Sequence, residues 1–331
     1  MHGETKREKI LLTGGAGFIG SHVAARLLDE GRQVSILDNL DPFYDPALKR
    51  RNLEMLSGRP GLRWIEADIR DPDALERLDR EESPFDALIH LAARAGVRAS
   101  VREPLLCADV NVNGTIRLLE FARTRKIGRF IFASSSSVYG SRNRIPFRED
   151  EAIDRPASPY AATKAAGEML CWTWHQLYGM DISCLRFFTV YGPRQRPEMA
   201  IHHFTRLIDR GEEVPVFGDG TARRDFTFID DIVAGVLAAL DRCRGFRIYN
   251  LGNSATVEVR EMIRLIAEAL GKPVRVRNLP PEPGDVPVTC ASVDLAGQEL
   301  GFRPTTALAQ GIRRFVEWYR TEGRGAGALK A

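Results

Sequence analysis

The first half of the chain alternates between short apolar runs and stretches with helical periodicity. Six runs predict strands: KILLT (9–13), QVSILD (33–38), LRWIEAD (62–68), FDALIHLAA (85–93), GRFIFAS (128–134) and MDISCLRFF (180–188). Between them apolar residues recur at every third or fourth position, as they do through residues 18–30 and 105–125. Continuous apolar strands that alternate with helices are typical of a parallel sheet covered on both faces. The pattern therefore predicts an α/β fold.

The pattern changes after residue 188, where proline, glycine and arginine become frequent. VYGPRQRP (190–197) and LPPEPGDVP (279–287) predict long loops around a pocket. Helical stretches at 258–270 and 307–319 predict a smaller C-terminal α/β lobe that binds a substrate. We expect a large domain of residues 1–188 and about 226–252, a smaller lobe of residues 189–225 and 253–320, and a mobile tail of residues 321–331.

A glycine-rich turn joins the first strand to the first helix. In LLTGGAGFIGSH, Gly15, Gly17 and Gly20 satisfy GxGxxG, and Gly14, Gly17 and Gly20 satisfy GxxGxxG. Without Cβ atoms the turn can be tight, and its backbone can approach a pyrophosphate at the positive end of the following helix. Because a strand precedes the motif and a helix follows it, the motif predicts a doubly wound (Rossmann) sheet that binds a dinucleotide.

Two acidic residues follow the second and third predicted strands. Asp38 lies 18 residues beyond the last glycine of the turn, where a carboxylate can bind the ribose 2′-OH and repel a 2′-phosphate. NAD is therefore favoured over NADP. Asp68 ends the third strand, where a contact near adenine and a cap for the following DPDALERL helix are both open. The end of the fourth strand is expected to form small walls beside the cofactor, with the residues Leu91, Ala92 and Ala93.

The segment ASPYAATKAAGEML (157–170) carries the signals of a helix start. Ser158 suits the N-cap and Pro159 the first helical position. Tyr160 and Lys164 are four residues apart and therefore lie on one face. A tyrosine titrates near pH ~10, but a nearby ammonium and the positive nicotinamide of NAD favour the phenolate and lower that pKa. Tyr160 could then take a proton from a sugar or alcohol hydroxyl.

The motifs TGGAGFIG, HLAA, SSSSVYG and YAATK, together with Asp38, resemble the extended short-chain dehydrogenases/reductases of the nucleotide-sugar epimerase and dehydratase group. The resemblance extends from residue 9 to about 320. It implies a catalytic trio of Ser135, Tyr160 and Lys164, in which Lys164 also holds the nicotinamide ribose, while Ser134 is expected to serve the backbone turn. The cofactor-binding residues that it implies for NAD are Gly14, Gly17, Phe18, Ile19, Gly20, Asp38, Asn39, Asp68, Ile69, Leu91, Ala92, Ala93, Asn111, Tyr160 and Lys164.

Two serines bear on the reaction within that group. In its 4,6-dehydratases the positions of Ser136 and Ser137 hold an Asp–Glu acid–base pair, and in its uronate decarboxylases the position of Ser137 holds a Glu. A serine cannot do that acid–base work at neutral pH. The resemblance thus favours removal and return of a hydride at C4 of a UDP-sugar, which is epimerisation.

Segments 38–56, 90–98 and 186–200 look most like the UDP-glucuronate 4-epimerases, although that subfamily has Gln at Arg94 and Trp–Gly at Arg194 and Gln195. The substrate-binding residues implied by the resemblance are Arg98, Ser136, Ser137, Thr189, Arg196, Met199, Val216, Phe217, Arg224 and Asp285. Of these, Ser136, Ser137, Thr189 and Arg196 are hydrogen-bond donors for a sugar carboxylate. A UDP-glucose 4-epimerase, a UDP-glucuronate decarboxylase and a non-catalytic NAD-binding regulator remain open as alternatives.

The composition of the chain bears on which partners, metals and cellular compartment we expect. The net charge of +3 is too weak to indicate a nucleic-acid or anionic membrane surface, and no apolar run approaches the length of a membrane span. Five separated cysteines without a CxxC predict reduced thiols in a cytoplasmic compartment. The six histidines have no metal-ligand spacing, so we expect no metal site, and His90 is expected to pack in the core. Segments 105–125 and 160–178 could pair with a second copy, as they do in relatives, to form a homodimer.

Overall fold

The computed structural model describes residues 7–82, 84–141, 144–280 and 286–324. Its strands are β1 (Lys9–Thr13), β2 (Gln33–Asp38), β3 (Leu62–Glu66), β4 (Ala87–His90), β5 (Arg129–Ser135), β6 (Asp181–Phe187), β7 (Thr189–Tyr191), β8 (Val214–Phe217), β9 (Arg223–Phe228), β10 (Phe246–Leu251), β11 (Thr256–Glu258) and β12 (Val276–Leu279). Seven of them form one parallel sheet in the order β10-β6-β5-β4-β1-β2-β3. The predicted doubly wound sheet is confirmed, and β10 adds a strand that the apolar runs did not predict.

The helices cover both faces of this sheet. They are α1 (Phe18–Asp29), α2 (Pro46–Glu54), α3 (Pro72–Glu82), α4 (Val97–Arg102), α5 (Pro104–Ala108), α6 (Gly114–Thr124), α7 (Pro159–Tyr178), α8 (Ala200–Asp209), α9 (Ile229–Asp241), α10 (Val259–Leu270), α11 (Asp294–Leu300) and α12 (Leu308–Trp318). Alternate strand residues divide the core: Ile10 and Leu12 pack with α1 and α9, whereas Leu11 packs with α3, α6 and α7. Burial on both faces explains why the strands are continuously apolar.

The helix predicted over 105–125 is broken. Pro104 begins α5, and its ring leaves no N–H for a continuous helix with α4, so the chain turns at Glu103 with φ −128°. A π-helical turn, Asp109–Asn113, then separates α5 from α6. Such single turns are common at functional sites. Here the π turn contains the buried Asn111.

The C-terminal half adds two small sheets, β11-β9-β7 and β12-β8, packed with α8, α10 and α12. Between these pieces the chain returns to the large sheet as α9 and β10, which pairs with β6 from Phe246 to Leu251. The predicted domain boundaries stay a prediction. The expected mobile tail begins inside a π-helical turn, Tyr319–Gly323, after which Arg324 pairs with Asp209 at 3.0 Å; residues 325–331 lie outside the described residues.

His90 ends β4 and packs in the core, as predicted. Its Nδ1 lies 2.8 Å from the Thr13 hydroxyl and its Nε2 lies 3.1 Å from the Thr115 hydroxyl. Burial, helped by the charge of Lys164, lowers the pKa of His90 to about 3. The imidazole is therefore neutral in the folded protein near neutral pH.

Acidification should destabilise the fold through this histidine. In the unfolded chain His90 regains its ordinary pKa of 6.5. Below that pH the unfolded state therefore binds a proton that the folded state does not bind. The free energy of unfolding should fall by about 1.4 kcal/mol per pH unit for each such histidine. Urea unfolding of the wild type and of His90→Gln, between about pH 7 and pH 5, checks this. The variant should show a shallower pH dependence, and equal slopes would contradict the prediction.

Candidate active site

A cleft of ≈ 400 Å³ opens at the carboxyl ends of the parallel strands. Its floor lies between β1 and β4, where the strand order reverses, and this is the position at which open α/β sheets bind ligands. The cleft is lined by these predicted residues: Gly14, Gly17, Phe18, Ile19, Gly20, Asp38, Asn39, Asp68, Ile69, Leu91, Ala92, Ala93, Ser135, Ser136, Ser137, Tyr160, Lys164, Thr189, Arg196 and Met199. The fold therefore brings together residues that are up to 185 positions apart in sequence.

The glycine turn places the start of α1 at the cleft. Gly14 has φ +72°, and a Cβ added there would lie 2.6 Å from the backbone nitrogen of Ala92. A Cβ added at Gly20 would lie 2.1 Å from the carbonyl oxygen of Gly14. Both positions therefore require glycine for close approach of backbone to backbone. No side chain caps the first turn of α1, so its amides are available to an anionic group in the cleft.

Asp38 is a buried carboxylate at the end of β2. One oxygen accepts a hydrogen bond from the Ala16 amide at 3.1 Å and the other accepts from the Leu40 amide at 2.9 Å. The ammonium of Lys49 lies 3.7 Å from the second oxygen, and Lys49 also lines the cleft. Sequence reasoning missed Lys49; its nearest signal is its position in the amphipathic DPALKRR stretch that follows Asp38.

Asp68 joins a surface network beside the cleft. It accepts hydrogen bonds from the Asn39 side chain at 2.9 Å and from the Arg70 guanidinium at 2.8 Å, and the Arg70 hydrogen bonds lower the pKa of Asp68. The capping alternative for Asp68 is wrong, because Asp71 accepts from the Asp73 and Ala74 amides at the start of α3. Asp68 lies three residues before this cap, and its carboxylate accepts from the Arg70 amide at 2.8 Å instead.

Asn111 does not line the cleft but contacts a residue that forms its wall. It is buried, its Oδ1 accepts from the Arg94 amide at 2.8 Å, and its Nδ2 donates to the Arg94 carbonyl at 3.1 Å and to the Thr163 hydroxyl at 3.0 Å. Asn111 thus holds the segment after β4 against α7, which is an indirect way of supporting whatever the cleft binds.

The carboxyl end of β5 is where Ser135, Tyr160 and Lys164 meet. Ser158 caps α7 by accepting from the Ala161 amide at 3.1 Å, as predicted. The Lys164 ammonium donates to the Ala133 carbonyl at 2.6 Å and lies 6.0 Å from the centroid of the Tyr160 ring. The cap fixes where α7 begins, and the lysine fixes the helix against the end of the strand.

The titration behaviour of Tyr160 differs from the expectation. Burial raises the pKa of Tyr160, and the hydrogen bond with Ser135 and the charge of Arg196 oppose this effect only in part. Lys164 does not supply the expected lowering, since burial lowers its own pKa to about 8 and its ammonium faces the Ala133 carbonyl. A further positive charge in the cleft is needed to favour the phenolate.

The serines of the run differ in their contacts, and Ser135 and Ser137 contact each other, with the Ser135 hydroxyl donating to the Ser137 hydroxyl at 3.1 Å. The Ser134 hydroxyl donates to the Glu168 carboxylate on α7, so the expectation that it serves the backbone turn is wrong. The turn is instead capped by Ser135, whose Oγ accepts from the Ser137 amide at 3.2 Å, at the start of the 3-10 turn Ser136–Tyr139. Ser136 and Ser137 line the cleft.

Several predicted substrate residues stand apart from the cleft wall. The Arg98 guanidinium packs 4.7 Å from the centroid of the Phe217 ring, which ties α4 to β8. Arg224 donates to the carbonyls of Arg223 at 3.0 Å and Pro287 at 3.4 Å. The described predicted residues that do not line the cleft are Asn111, Arg98, Val216, Phe217 and Arg224, and Asp285 lies outside the described residues.

Arg94 lines the cleft although sequence reasoning gave it no role. Its guanidinium donates to Asp41 at 2.7 Å and to Glu103 at 2.5 Å, and lies 4.6 Å from the centroid of the Phe43 ring. The other departures from the subfamily pattern lie elsewhere: the Gln195 side chain is buried and donates to the Val190 carbonyl at 3.0 Å. Arg94 is therefore the departure that touches the cleft.

Other kinds of site find little support in the described part of the chain. Within it, no group of three or more His, Cys, Asp or Glu side chains is placed to hold a metal ion. No described helix combines the length and the apolar character that crossing a membrane requires. The five cysteines, all within the described ranges, are free thiols.

Residues 10–252 match the model of the NAD dependent epimerase/dehydratase family. The chain is 44% identical over 329 residues to UDP-glucuronate 4-epimerase 4 of Arabidopsis thaliana, covering 94% of this chain and 75% of the relative. It is similar, with a TM-score of 0.89 and 35% identity, to the crystal structure of a UDP-glucuronic acid 4-epimerase from Bacillus cereus in complex with UDP-glucuronic acid and NAD; the match covers 94% of this chain and 99% of that one.

A dehydratase has an equally similar backbone. The dTDP-glucose 4,6-dehydratase of Streptomyces venezuelae, solved with NAD, matches with a TM-score of 0.90 and 33% identity over 97% of this chain and 100% of its own. Because the backbones agree so closely in both cases, the choice of reaction depends on side chains in the cleft.

Proposed function

Because the chain belongs to the NAD dependent epimerase/dehydratase family, we propose that it epimerises C4 of a UDP-sugar, converting UDP-glucuronate to UDP-galacturonate with NAD as cofactor. One observation carries the proposal. Tyr160, Ser135 and Lys164 converge on the cleft, which is also lined by Ser136 and Ser137, the positions that hold an acid–base pair in the dehydratases that the sequence resembles. The site thus has a candidate base for the C4 hydroxyl and lacks the carboxylates that dehydration needs.

The residues around the cleft suit NAD. The glycine turn gives the pyrophosphate a close approach to the start of α1, and the Asp38 carboxylate suits a ribose diol rather than a 2′-phosphate. When bound, NAD supplies an acceptor for the C4 hydride and later a donor. Tyr160, whose pKa burial raises above its ordinary range, would gain from the positive nicotinamide of bound NAD the charge that favours the phenolate.

The side chains then handle the proton. Tyr160, as phenolate, takes the proton from the C4 hydroxyl, and Ser135 donates a hydrogen bond to the same oxygen. Lys164 donates to the Ala133 carbonyl and lies 6.0 Å from the centroid of the Tyr160 ring, and its remaining N–H groups would hold the nicotinamide ribose. After the 4-keto sugar has turned in the cleft, Tyr160 returns the proton to the C4 oxygen, and C4 then has the opposite configuration.

A uronate is favoured over a neutral sugar by the donors at the sugar end of the cleft. Ser136, Ser137 and Thr189 bring hydroxyls to this wall, and Arg196 brings a positive charge. The Arg196 guanidinium pairs with Glu198 at 3.1 Å and is close enough to Tyr160 to lower the pKa of the phenol. A C6 carboxylate would meet this charge beside the reacting C4 oxygen.

Arg196→His should turn part of the epimerisation into decarboxylation. The 4-keto uronate is a β-keto acid. It loses CO2 when the bond between C5 and the carboxylate stands perpendicular to the plane of the C4 carbonyl. We expect Arg196 to hold the carboxylate away from that geometry, so the variant should lose about tenfold or more in epimerisation of UDP-glucuronate and release a UDP-pentose. NMR of the products measures both. Lost activity without any pentose would contradict this role for Arg196.

The deciding experiment is incubation of the protein with UDP-glucuronate and NAD, with the products identified by NMR. UDP-galacturonate is the expected product. A parallel incubation with UDP-glucose tests the neutral-sugar alternative, and release of CO2 with UDP-pentose from the wild type would indicate a decarboxylase. If neither epimer nor pentose forms from any of these sugars, the non-catalytic regulator becomes the better interpretation.

We also propose a homodimer in a reducing cytoplasm. The exposed apolar side chains of α4, α5 and α7 include Val101, Leu105 (85% exposed), Met169 and Trp172, which a second copy could cover. The free thiols, four of them buried, suit a reducing compartment. Sedimentation of the protein tests the assembly, since a monomer at micromolar concentration would contradict it.

A further inference from the structure

One face of α7 is fastened to the end of β5 at three successive points. Tyr160, Lys164 and Glu168 are spaced by four residues, which places them on one face of the helix. They meet consecutive strand residues: Tyr160 interacts with Ser135, Lys164 donates to the Ala133 carbonyl, and Glu168 accepts from the Ser134 hydroxyl. The first two contacts belong to the proposed catalytic trio, and the third lies one helical turn deeper.

Behind the third contact lies a buried ion pair. Arg186 on β6 donates to the two carboxylate oxygens of Glu168, from Nε at 2.9 Å and from Nη2 at 2.7 Å. The side chains are only 2% and 3% exposed. Replacing a buried ion pair by apolar side chains is often neutral or stabilising, so this pair is weak evidence for a role in stability alone. Its two-point geometry instead fixes the carboxylate in one orientation.

The pair is itself held on its far side. The remaining terminal nitrogen of Arg186 donates to the Tyr139 hydroxyl at 2.9 Å, and Tyr139 donates to the Asn250 side chain at 2.7 Å. Tyr139 ends the 3-10 turn that carries Ser136 and Ser137, and Asn250 lies on β10. Glu168 is thus oriented by β6, β10 and the 3-10 turn, although neither Glu168 nor Arg186 lines the cleft.

We propose that Glu168 and Arg186 are positioning residues that act through Ser134 to set Ser135 against Tyr160. Ser134 and Ser135 are adjacent on one strand, so their side chains point to opposite faces of the sheet. A fixed Ser134 therefore fixes the direction of its neighbour. The proposal rests on the proposed function, because it explains how the Ser135–Tyr160 contact is maintained for proton transfer.

Ser134→Ala is the direct test, in protein loaded with NAD. Without the hydroxyl, β5 loses its link to Glu168, and the hydrogen bond between Ser135 and Tyr160 loosens. That hydrogen bond lowers the pKa of Tyr160, so its loss should move the phenol titration to higher pH. The titration is read by near-ultraviolet absorbance as the difference from Tyr160→Phe, which requires no sugar. For turnover, kcat should fall about tenfold with KM unchanged, and the acid limb of its pH profile should move to higher pH.

Ser183→Ala is the matched control. Ser183 is an equally buried serine, on β6, whose hydroxyl donates to the Cys243 thiol at 3.4 Å away from α7. Tyr139→Phe is a second, milder variant, because it removes one partner of Arg186 while keeping the ring that stacks on Phe147. It should shift the titration in the same direction by a smaller amount, and it serves if Ser134→Ala fails to fold.

The outcomes separate the two proposals. A wild type that forms no epimer contradicts the proposed function, whatever the titration shows. An active wild type whose Tyr160 titration and kcat are the same in Ser134→Ala and Tyr139→Phe as in Ser183→Ala overturns the positioning role. A lower melting temperature without a shifted titration also overturns it, since that result indicates a purely structural role.

Discussion

Tyr160→Phe should lower kcat for the UDP-sugar by about 10³-fold and leave the content of bound NAD unchanged. The substitution removes the phenolic oxygen, which is the proposed proton acceptor, and keeps the ring beside Lys164. The neighbouring serines cannot replace it, because Ser135, Ser136 and Ser137 are too weakly acidic to exist as alkoxides at neutral pH. Initial rates with saturating UDP-glucuronate, and NAD released on denaturation, are the measurements.

Tyr249→Phe provides the matched control. Tyr249 is a buried tyrosine on β10 whose hydroxyl donates to Glu299 at 2.7 Å, outside the cleft. Removing this hydroxyl should cost about 1 kcal/mol of stability and no catalysis. If Tyr160→Phe keeps activity within about tenfold of the control, another group accepts the C4 proton and the mechanism is wrong.

Gly14→Ala should abolish retention of NAD and lower the free energy of unfolding by about 3 kcal/mol. Two costs add at this position. The left-handed backbone, with φ +72°, disfavours any Cβ, and the new Cβ would lie 2.6 Å from the Ala92 backbone nitrogen. To relieve that contact, the glycine turn must move away from the segment after β4. The turn and this segment are the two walls of the proposed NAD site. Urea unfolding and the NAD content of the purified protein check the prediction.

Gly58→Ala separates these two costs. Gly58 has a nearly equal φ of +79°, but a Cβ added there meets nothing within 4 Å. Its substitution should cost about 1 kcal/mol, from the backbone alone, and leave NAD bound. Equal losses of stability in the two variants would show that the contact with Ala92 relaxes without consequence.

The choice between epimerase and dehydratase illustrates how few atoms decide the reaction. The epimerase from Bacillus cereus and the dehydratase from Streptomyces venezuelae match this chain with TM-scores of 0.89 and 0.90. The backbone that carries the cleft is therefore shared. The resemblance implies that the two reactions differ at the positions of Ser136 and Ser137, which line the cleft and whose hydroxyls cannot act as an acid–base pair at neutral pH.

Local features of this protein were predictable from its sequence. The strands from β1 to β6, the glycine turn at Gly14 and the cap of α7 at Ser158 all follow from residues within a few positions of one another. Periodicity, a missing Cβ and a side chain that caps a helix act over a single turn, so the sequence contains the whole cause. The helix over 105–125 was mispredicted because Pro104 and the π turn at Asp109 interrupt an otherwise helical apolar pattern.

Tertiary structure decided what the functional side chains contact. Ser134 reaches Glu168, 34 residues away, and Asn111 reaches Thr163, 52 residues away. The Tyr160 pKa depends on burial, which no motif specifies, and so its rise opposes the effect expected from the spacing of Tyr160 and Lys164. The sequence by itself determined the fold class, which depends on local pattern, and the candidate trio followed from the resemblance of its motifs to a known family. Only the folded chain determined what the trio contacts, because α7 must pack against β5 before the Lys164 ammonium can donate to the Ala133 carbonyl, 31 residues away.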